Sequence, residues 1–302
     1  MRIGIDLGGT KTEAIVLDDA GRELARERVE SPQGDYAATV RQIQHLVDRV
    51  ATQAGCNADV PVGVGIPGAI SPKTGLVKNA NSTWLIGNAL DRDLEAALQR
   101  PVRIANDANC FVVSEAIDGA AKGYGMVFGV IIGTGVGGGI AINGQTHTGI
   151  NAIAGEWGHN PLPWPIPGIA EQPGPACYCS KHGCIETFLS GPGLSRDYQA
   201  SGGRAASASE IATDAAAGNA VAVAVLRRYT DRLARALAGV INILDPDIIV
   251  FGGGLSNLDI IYRDLPKSLK NYVFSDACDT PCVKNQHGDS SGVRGAAWLW
   301  PQ

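Results

Sequence analysis

The sequence predicts an α/β fold made of two similar halves with a cleft between them. Strand and helix patterns alternate along most of the 302-residue chain, as expected where helices pack on largely parallel sheets. An apolar strand breaks into a glycine-rich turn at residues 3–10 and again at residues 130–135. A second strand follows each turn, which indicates a duplicated unit. Chance similarity between two glycine-rich turns is the alternative.

The first half is predicted to be a domain over residues 1–120. Apolar residues at three- and four-residue steps, or in short uninterrupted runs, define its elements. The predicted elements are strands at residues 2–6, 12–17, 62–66 and 102–105, and helices at residues 36–54 and 107–119.

The second half, residues 121–302, is predicted to be a second α/β domain. Its clearest signals are a long helix over residues 219–244 and a strand over residues 248–251. Residues 155–193 are rich in Gly, Pro and Cys and show little periodicity, which is typical of a functional or metal-bound loop. The C-terminal helix is expected to pack back on the first domain.

The composition excludes several partners. Hydrophobic residues make up 45% and charged residues 18%, and the net charge is −5, so no basic field attracts nucleic acid or an anionic membrane. The longest uncharged stretch, residues 126–142, is broken by glycines and is short for a membrane span. With no signal-peptide pattern at the start, we expect a cytoplasmic protein.

A cysteine cluster indicates a metal site. Cys177, Cys179 and Cys184 lie within eight residues, and His159 lies upstream. Three Cys and one His form a usual tetrahedral zinc set, and seven cysteines in a cytoplasmic chain favour metal ligands or buried thiols over disulfides. His182, inside the cysteine run, is the competing fourth ligand.

The first phosphate-binding candidate is residues 6–11, DLGGTK, directly after a predicted strand. Two glycines let backbone N–H groups approach phosphate oxygens, and Thr10 and Lys11 add a hydroxyl donor and a cation. Asp6 could hold Mg²⁺ through water. The alternative is an ordinary hairpin turn.

Two further glycine runs extend the nucleotide prediction. Residues 133–139 contain five glycines, which weaken a plain strand and favour close approach of a ligand, with a β-bulge as the alternative. Residues 252–254 follow a strand and precede a helix, a position suited to adenine or ribose.

A general base and a sugar-binding loop are the remaining candidates. Asn106 and Asp107 follow a strand end, where an ionised carboxylate could take a hydroxyl proton during phosphoryl transfer; an N-cap role for Asp107 is the alternative. Residues 79–84 carry amides and Trp84, which suit sugar hydroxyls and a sugar ring, and a solvated loop is the alternative. Glu156 and Glu186 flank the cysteine cluster and could accept hydrogen bonds from sugar hydroxyls.

These motifs together resemble the ROK family of sugar kinases, in the sugar kinase/Hsp70/actin superfamily. The resemblance covers nearly the whole chain and implies an actin-like (ribonuclease H-like) duplicated fold, with ATP, Mg²⁺ and a structural zinc. Ser180 stands where the family usually has Gly. The family also implies a homodimer.

The predicted site residues fall into three groups. The sugar contacts are Asn81, Asn106, Asp107, Glu156, His159 and Glu186, with Asp107 as general base. The nucleotide contacts are Gly4, Asp6, Gly8, Gly9, Thr10, Lys11, Gly133, Thr134, Gly135, Val136, Gly137, Gly138, Gly253 and Gly254. The zinc ligands are His159, Cys177, Cys179 and Cys184.

Within the family, residues 79–84, 156–164 and 287–298 look most like bacterial fructokinases of the mannokinase type, which implies phosphorylation of D-fructose to fructose 6-phosphate. N-acetylglucosamine, glucose and mannose are alternative substrates.

A sugar-responsive regulator or a non-catalytic sensor is the alternative from another class of protein. The first motif begins within ten residues of Met1, which leaves no room for the regulators' DNA-binding domain, and the intact Asp107 and glycine turns count against a sensor.

Overall fold

The structure, a computed structural model, describes residues 1–300 and contains two compact units. Unit 1 comprises residues 1–125, residues 139–155 and the C-terminal segment from residue 286. Unit 2 comprises residues 126–138 and 156–285. The division after residue 125 lies near the predicted one, and the C-terminal segment groups with the first unit, on which its helix was expected to pack. Residues 139–155 were predicted to belong to the second domain but group with the first unit.

Within the described residues, strands and helices alternate along the chain. The strands are β1 (Arg2–Leu7), β2 (Lys11–Leu17), β3 (Glu23–Glu30), β4 (Val62–Ile66), β5 (Ala69–Ile70), β6 (Val77–Lys78), β7 (Val102–Asn106), β8 (Met126–Ile132), β9 (Val136–Ile142), β10 (Gln145–Thr146), β11 (Ile248–Gly252) and β12 (Cys282–Lys284). The helices are α1 (Tyr36–Ala54), α2 (Leu90–Leu98), α3 (Asp107–Ile117), α4 (Ile185–Leu189), α5 (Gly191–Ala200), α6 (Ala208–Ala216), α7 (Ala220–Leu244), α8 (Asp259–Leu269) and α9 (Ser291–Ala297).

The sheet of unit 1 has the order β3-β2-β1-β4-β7. β1 pairs antiparallel with β2 and parallel with β4, and β4 pairs parallel with β7. α1 packs its buried Ile43 and Val47 into the same core as β1 and β4. Asp35 caps the start of α1 and Gly55, at φ +67°, ends it, so local chemistry fixes both helix ends.

Helix α9 packs closely on β1 and β4 because both strands carry glycines there. A Cβ on Gly4 would overlap the carbonyl oxygen of Val293, and a Cβ on Gly63 would overlap that of Ala296. The structure therefore accounts for Gly4 by helix packing. This corrects its prediction as a nucleotide contact, since its α-carbon faces a buried helix.

The second sheet repeats the plan of the first. Its order is β10-β9-β8-β11-β12, with β8 parallel to β11, β11 parallel to β12, and β10 antiparallel to β9. Each sheet thus places its glycine hairpin beside two parallel strands, and the predicted duplicated α/β fold is confirmed. None of the helices within residues 1–300 has both the length and the apolarity to cross a membrane.

Candidate active site and metal centre

The first glycine turn joins β1 to β2 and is held by Ser31. The Gly8 N–H donates to the Lys11 carbonyl (2.9 Å), while the Ser31 hydroxyl donates to the Gly8 carbonyl (2.8 Å) and the Ser31 N–H to the Thr10 carbonyl (2.9 Å). A Cβ on Gly8 would lie 2.8 Å from the Lys11 carbonyl oxygen. The hairpin itself therefore requires glycine at position 8.

Gly9 has a different environment from Gly8. A Cβ there would have only the Ser82 Oγ nearby, at 3.4 Å, so the hairpin does not explain this glycine. Gly9, Thr10 and Lys11 are exposed. Exposed backbone N–H groups on a turn are available to an anionic ligand.

Two carboxylates lie near each other at one edge of the unit 1 sheet. Asp6 is in β1 and Asp107 begins α3 directly after β7, and the carboxyl ends of these parallel strands share an edge, where α/β sheets bind ligands. Burial and the charges of Asp107 and Glu13 raise the pKa of Asp6 to about 7, against the opposing effect of Arg28. Such mutual repulsion favours a cation between the groups.

Asn106 is the N-cap of α3, whereas the sequence left both an N-cap role and a general-base role open for Asp107. The Asn106 Oδ1 accepts from the Ala108 N–H at 2.9 Å, and the Asp107 Oδ1 accepts from the same N–H at 2.7 Å. Asp107 is exposed. Asn106 is therefore the N-cap, and the carboxylate of Asp107 accepts from the same N–H while its side chain is exposed at the start of the helix.

The loop predicted to bind sugar carries one exposed amide and one partly buried indole. Asn81 is exposed, and its N–H donates to the Pro67 carbonyl at 3.1 Å. Trp84 packs against the core of unit 1, and its Nε1–H donates to the Thr39 hydroxyl at 3.2 Å. The donor of this indole and part of its ring are therefore used inside the fold, and its contact with a sugar stays a prediction.

The second glycine turn, between β8 and β9, is held by Glu186. The Glu186 Oε2 accepts from the Val136 N–H at 2.9 Å, and a Cβ on Gly135 would lie 2.8 Å from that oxygen. The Gly133 carbonyl accepts from the Gly191 N–H at 2.7 Å. Glu186, predicted from sequence as a sugar contact, thus also supports the predicted phosphate turn.

A cavity of about 540 Å³ in unit 2 connects the second turn with the third glycine run. Its lining includes Gly133, Thr134, Ser207 and Gly254. Gly253 adopts φ +81°, and a Cβ there would lie 2.5 Å from the Ile132 carbonyl oxygen, so only glycine fits. The lining combines glycine backbone with the hydroxyls of Thr134 and Ser207, which are groups that can bind the phosphates and ribose of a nucleotide.

The turn that carries Glu156 and His159 is fixed to β9. The Trp157 Nε1–H donates to the Gly137 carbonyl at 2.9 Å, and Gly158 packs directly against the Val136 carbonyl. Glu156 is exposed. These two contacts with β9 fix the turn, and the turn places the carboxylate of Glu156 at the surface of unit 2.

The four predicted metal ligands converge. The ligand atoms of His159, Cys177, Cys179 and Cys184 all lie within 4.8 Å of one another. The Cys179 and Cys184 sulfurs are 3.6 Å apart, and the Cys177 sulfur is 3.7 Å from the His159 Nδ1. A tetrahedral zinc with Zn–S bonds of about 2.3 Å requires sulfurs about 3.8 Å apart, so the donor set fits zinc. His182 is exposed and lies outside the cluster.

Tyr178 projects from the cysteine hairpin beside His159. Its hydroxyl lies 2.9 Å from the His159 Nε2, and the two rings meet edge to face with centroids 5.0 Å apart. Burial, followed by the charges of Glu186 and Glu156, raises the pKa of the Tyr178 phenol to about 12. The phenol thus lies near both predicted sugar-binding carboxylates of unit 2.

A buried ion-pair network holds the loop between His159 and the cysteines. Glu171 Oε1 accepts from the Arg232 Nε at 2.8 Å and from the Arg235 Nη2 at 2.9 Å. Arg235 Nη1 also donates to the carbonyls of Pro163 and Trp164. Burial alone would raise the pKa of Glu171, but hydrogen bonds from Arg235, the Ile166 N–H and Arg232 lower it to about 2.

Sequence reasoning did not identify three of the groups that shape these sites. Ser31 braces the first turn, Ser82 is buried beside Gly9 with no hydrogen-bond partner for its Oγ within residues 1–300, and Tyr178 contacts His159. Hydroxyl residues in loops carry no spacing pattern. The only sequence signal for Tyr178 was its position between two predicted ligands.

The fold matches those of known proteins over nearly the whole chain. The two-sheet architecture is that of actin-like sugar kinases. The ROK family model matches residues 2–302, and the chain belongs to the ROK family.

Relatives and solved structures match over the same length. The N-acetyl-D-glucosamine kinase of Yersinia pseudotuberculosis serotype O:1b (strain IP 31758) is 41% identical over 301 residues, covering 99% of this chain and 98% of the relative. A ROK hexokinase structure from Thermus thermophilus is similar with a TM-score of 0.86 and 29% identity, covering 99% of this chain and 97% of that chain. A ROK glucokinase from Streptomyces griseus, solved with glucose and AMPPNP, is similar with a TM-score of 0.77 and 28% identity, covering 99% and 98%.

Proposed function

We propose that the protein is an ATP-dependent hexose kinase that transfers the γ-phosphoryl group of ATP to the 6-hydroxyl of a hexose. The observation that carries the proposal is the exposed Asp107 at the start of α3 in a ROK-family chain. Asp107 lies at the carboxyl edge of the parallel strands, close to Asp6, where α/β sheets bind ligands.

The chemistry assigns one task to each group. Asp107 takes the proton of the sugar 6-hydroxyl while the new O6–P bond forms and the bond from the γ-phosphorus to the β,γ-bridging oxygen breaks, so that the electron pair leaves with ADP. Backbone N–H groups of the two glycine turns bind phosphate oxygens. Mg²⁺, held through water near Asp6, would supply charge neutralisation on the phosphates.

Two sugars have specific support as the substrate. The relatives that match at 40–41% identity over 99% of this chain are N-acetyl-D-glucosamine kinases, which favours N-acetylglucosamine. The fructokinase-like segments at residues 79–84, 156–164 and 287–298 favour D-fructose, a prediction that these comparisons do not support. Discrimination between sugars comes from which hydroxyls are paired in the site.

The test is sugar-dependent ADP formation with MgATP, compared by kcat/KM for N-acetylglucosamine, fructose, glucose and mannose. Turnover with any of these hexoses supports the kinase assignment, and the preferred sugar decides between the two candidates. ADP formation that is independent of sugar, or no turnover with any of the four, would contradict it.

We also propose that His159, Cys177, Cys179 and Cys184 bind a structural zinc ion. The convergence of four soft or borderline donors supports this proposal. The metal would fix the loop that carries Glu156 and perform no chemistry. Elemental analysis should find one zinc per chain in the wild type and a loss of zinc in Cys184→Ser; a metal-free wild type with full activity would contradict the proposal.

A further inference from the structure

Helix α9 approaches its neighbours in unit 1 so closely that backbone meets backbone. A Cβ on Gly4 of β1 would lie 2.3 Å from a carbonyl oxygen of α9, and a Cβ on Gly63 of β4 would lie 1.8 Å from another. Within the helix, a Cβ on Gly295 would lie 1.6 Å from the Cys110 carbonyl oxygen of α3. Three elements therefore pack directly against α9, and packing alone explains these three glycines.

Gly292 lies in the same helix but has a different neighbour. Outside the helix backbone, the three atoms nearest to a Cβ at this position all belong to the carboxyl group of Asp6: Oδ2 at 2.9 Å, Cγ at 3.4 Å and Oδ1 at 4.0 Å. Since Cβ atoms essentially never approach other atoms within 3.0 Å, a methyl group at position 292 and the observed Asp6 carboxylate exclude each other. The neighbour that requires glycine here is a side chain of the candidate site and not the backbone.

A buried carboxylate fixes the start of α9, where Gly292 lies. Glu115 is fully buried, and its Oε1 accepts from the Ser291 hydroxyl at 2.8 Å while its Oε2 accepts from the Gln286 N–H at 3.0 Å. Glu115 belongs to α3, the helix that begins at Asp107. The helix that carries the proposed base therefore also holds Gly292 in place.

The Asp6 side chain is the part of this contact that can move. Packing and Glu115 hold α9, whereas a carboxylate can turn about two side-chain bonds. A methyl group at position 292 would therefore turn Asp6 away from its observed place. That place is at the carboxyl edge of the sheet of unit 1, because β1, β4 and β7 run parallel and Asp107 follows β7 at the same edge. Movement of Asp6 would thus change the charge that this edge offers to a ligand.

We propose that Gly292 is a positioning residue: by having no side chain, it keeps the Asp6 carboxylate where it can hold the Mg²⁺ of a bound nucleotide through water. The inference rests on the proposed kinase function, which supplies the magnesium nucleotide. Gly292 acts through Asp6 and not by contact with the substrate, and Glu115 and Ser291 contribute by fixing the helix. The effect is therefore expected only where Mg²⁺ takes part in binding.

The test is calorimetry of ADP binding with Mg²⁺ and with EDTA, in the absence of sugar, for wild type and Gly292→Ala. We expect Gly292→Ala to weaken binding of MgADP about tenfold, as for one weakened hydrogen bond to a charged group. Binding of ADP in EDTA should stay within about twofold of wild type. Gly239→Ala in α7 is the matched control, because its methyl also enters a helix but would meet the Pro163 side chain at an ordinary 3.9 Å. This control should bind both forms of ADP as wild type does, with a Tm similar to that of Gly292→Ala.

A second variant shows whether the effect passes through Asp6. Asp6→Ala removes the carboxylate and, with it, the steric conflict at position 292. This variant should lose the Mg²⁺-dependent part of the ADP affinity. Adding Gly292→Ala to it should change nothing further, since the two positions act as one unit.

Any of four results would overturn the proposal. If Gly292→Ala binds MgADP within about twofold of wild type, the methyl group does not move the carboxylate. If it weakens ADP binding equally with Mg²⁺ and with EDTA, or lowers Tm well below that of Gly239→Ala, the glycine serves packing alone. If it weakens MgADP binding further in the Asp6→Ala background, the effect does not pass through Asp6. If the wild type gains no ADP affinity from Mg²⁺, Asp6 holds no cation.

The same measurements separate this proposal from the kinase function. A wild type that binds MgADP but phosphorylates none of the four sugars would refute the kinase function, while the ADP measurements would still decide the role of Gly292.

Discussion

The two glycine turns have the same place in two sheets of the same order, but different groups brace them. In unit 1 the neutral hydroxyl of Ser31 holds the Gly8 carbonyl. In unit 2 the carboxylate of Glu186 holds the Val136 N–H. Charge-assisted hydrogen bonds are the stronger kind, so the second turn depends on its brace more than the first.

The surroundings of the turns differ in the same way. Unit 1 places two carboxylates, Asp6 and Asp107, close enough for the charge of Asp107 to raise the pKa of Asp6. Unit 2 contains a metal-ligand cluster and a buried ion-pair network of Glu171 and Arg235. The two halves of the duplicated fold thus carry different polar groups, and the proposed mechanism places proton transfer in unit 1.

The largest effect is expected from Asp107→Asn, which removes the base of unit 1. We expect kcat to fall about 100- to 10,000-fold, the range for loss of a general base, while calorimetry still detects sugar binding. Retention of more than about a tenth of wild-type kcat, a difference of ~1.4 kcal/mol, would show that proton transfer does not depend on Asp107.

Glu171→Gln tests the bracing of unit 2. Its side chain is fully buried and pairs with both Arg232 and Arg235. Without its charge these two buried cations keep, within the described residues, only Asp197 and Asp231 as counterions, which should cost about 3 kcal/mol of unfolding free energy. Denaturant unfolding measures this loss. Glu27→Gln, which breaks the exposed pair with Arg49, is the control and should cost less than about 1 kcal/mol. Equal losses in the two variants would refute the bracing role.

The same carboxylate predicts how stability depends on pH. The folded pKa of Glu171 is about 2, below its ordinary 4.5, so its contribution is complete above the ordinary value and disappears as the pH falls towards 2. Between those values the wild type should lose unfolding free energy more steeply than Glu171→Gln. Parallel curves for the two proteins would contradict the assignment.

A matched pair, Gly135→Ala and Gly9→Ala, compares the turns directly. In unit 2 the added methyl meets the Glu186 oxygen at 2.8 Å, whereas in unit 1 it meets only Ser82 at 3.4 Å. Gly135→Ala should lower both Tm and the affinity for ATP. Because the methyl displaces the charged hydrogen bond between Glu186 and the Val136 N–H, kcat/KM for ATP should fall about tenfold. Gly9→Ala should keep Tm and raise only the KM for ATP. A Gly9→Ala enzyme with wild-type KM would leave Gly9 without a phosphate role.

The smallest effect is expected from Ser180→Gly in the cysteine hairpin. Ser180 adopts φ +70°, a left-handed conformation that costs a side-chain-bearing residue about 1–2 kcal/mol, partly offset by the greater chain entropy of glycine. We expect a gain of less than about 1 kcal/mol in thermal unfolding, with zinc content unchanged. Destabilisation would show that Ser180 makes a contact that the turn needs.

The sequence predicted the elements that local patterns define. The helix at residues 36–54 and the strand at residues 62–66 have the observed bounds because apolar periodicity and glycine ends specify them. β3 was not predicted, since most of its residues are charged and alternate between exposed and partly buried positions. Edge strands of this kind take their conformation from the neighbouring strand.

The same distinction between local and distant signals explains which site residues were predicted correctly. Short-range spacing predicted the metal ligands and both turns, which lie where β1 and β8 end. Gly4 was misassigned because helix α9, which packs on it, is distant in sequence, and the Thr39 partner of Trp84 could not be predicted for the same reason. The preference for fructose, the homodimer and the cytoplasmic location stay predictions.

The measurement that tests the central assignment most directly is identification of the product by phosphorus–proton NMR. Wild-type protein, MgATP and the preferred hexose should give ADP and a sugar whose phosphorus couples to the protons on C6, and the 6-deoxy sugar should give no product. Phosphate on the anomeric oxygen, or inorganic phosphate alone, would contradict transfer to the 6-hydroxyl with Asp107 as the base.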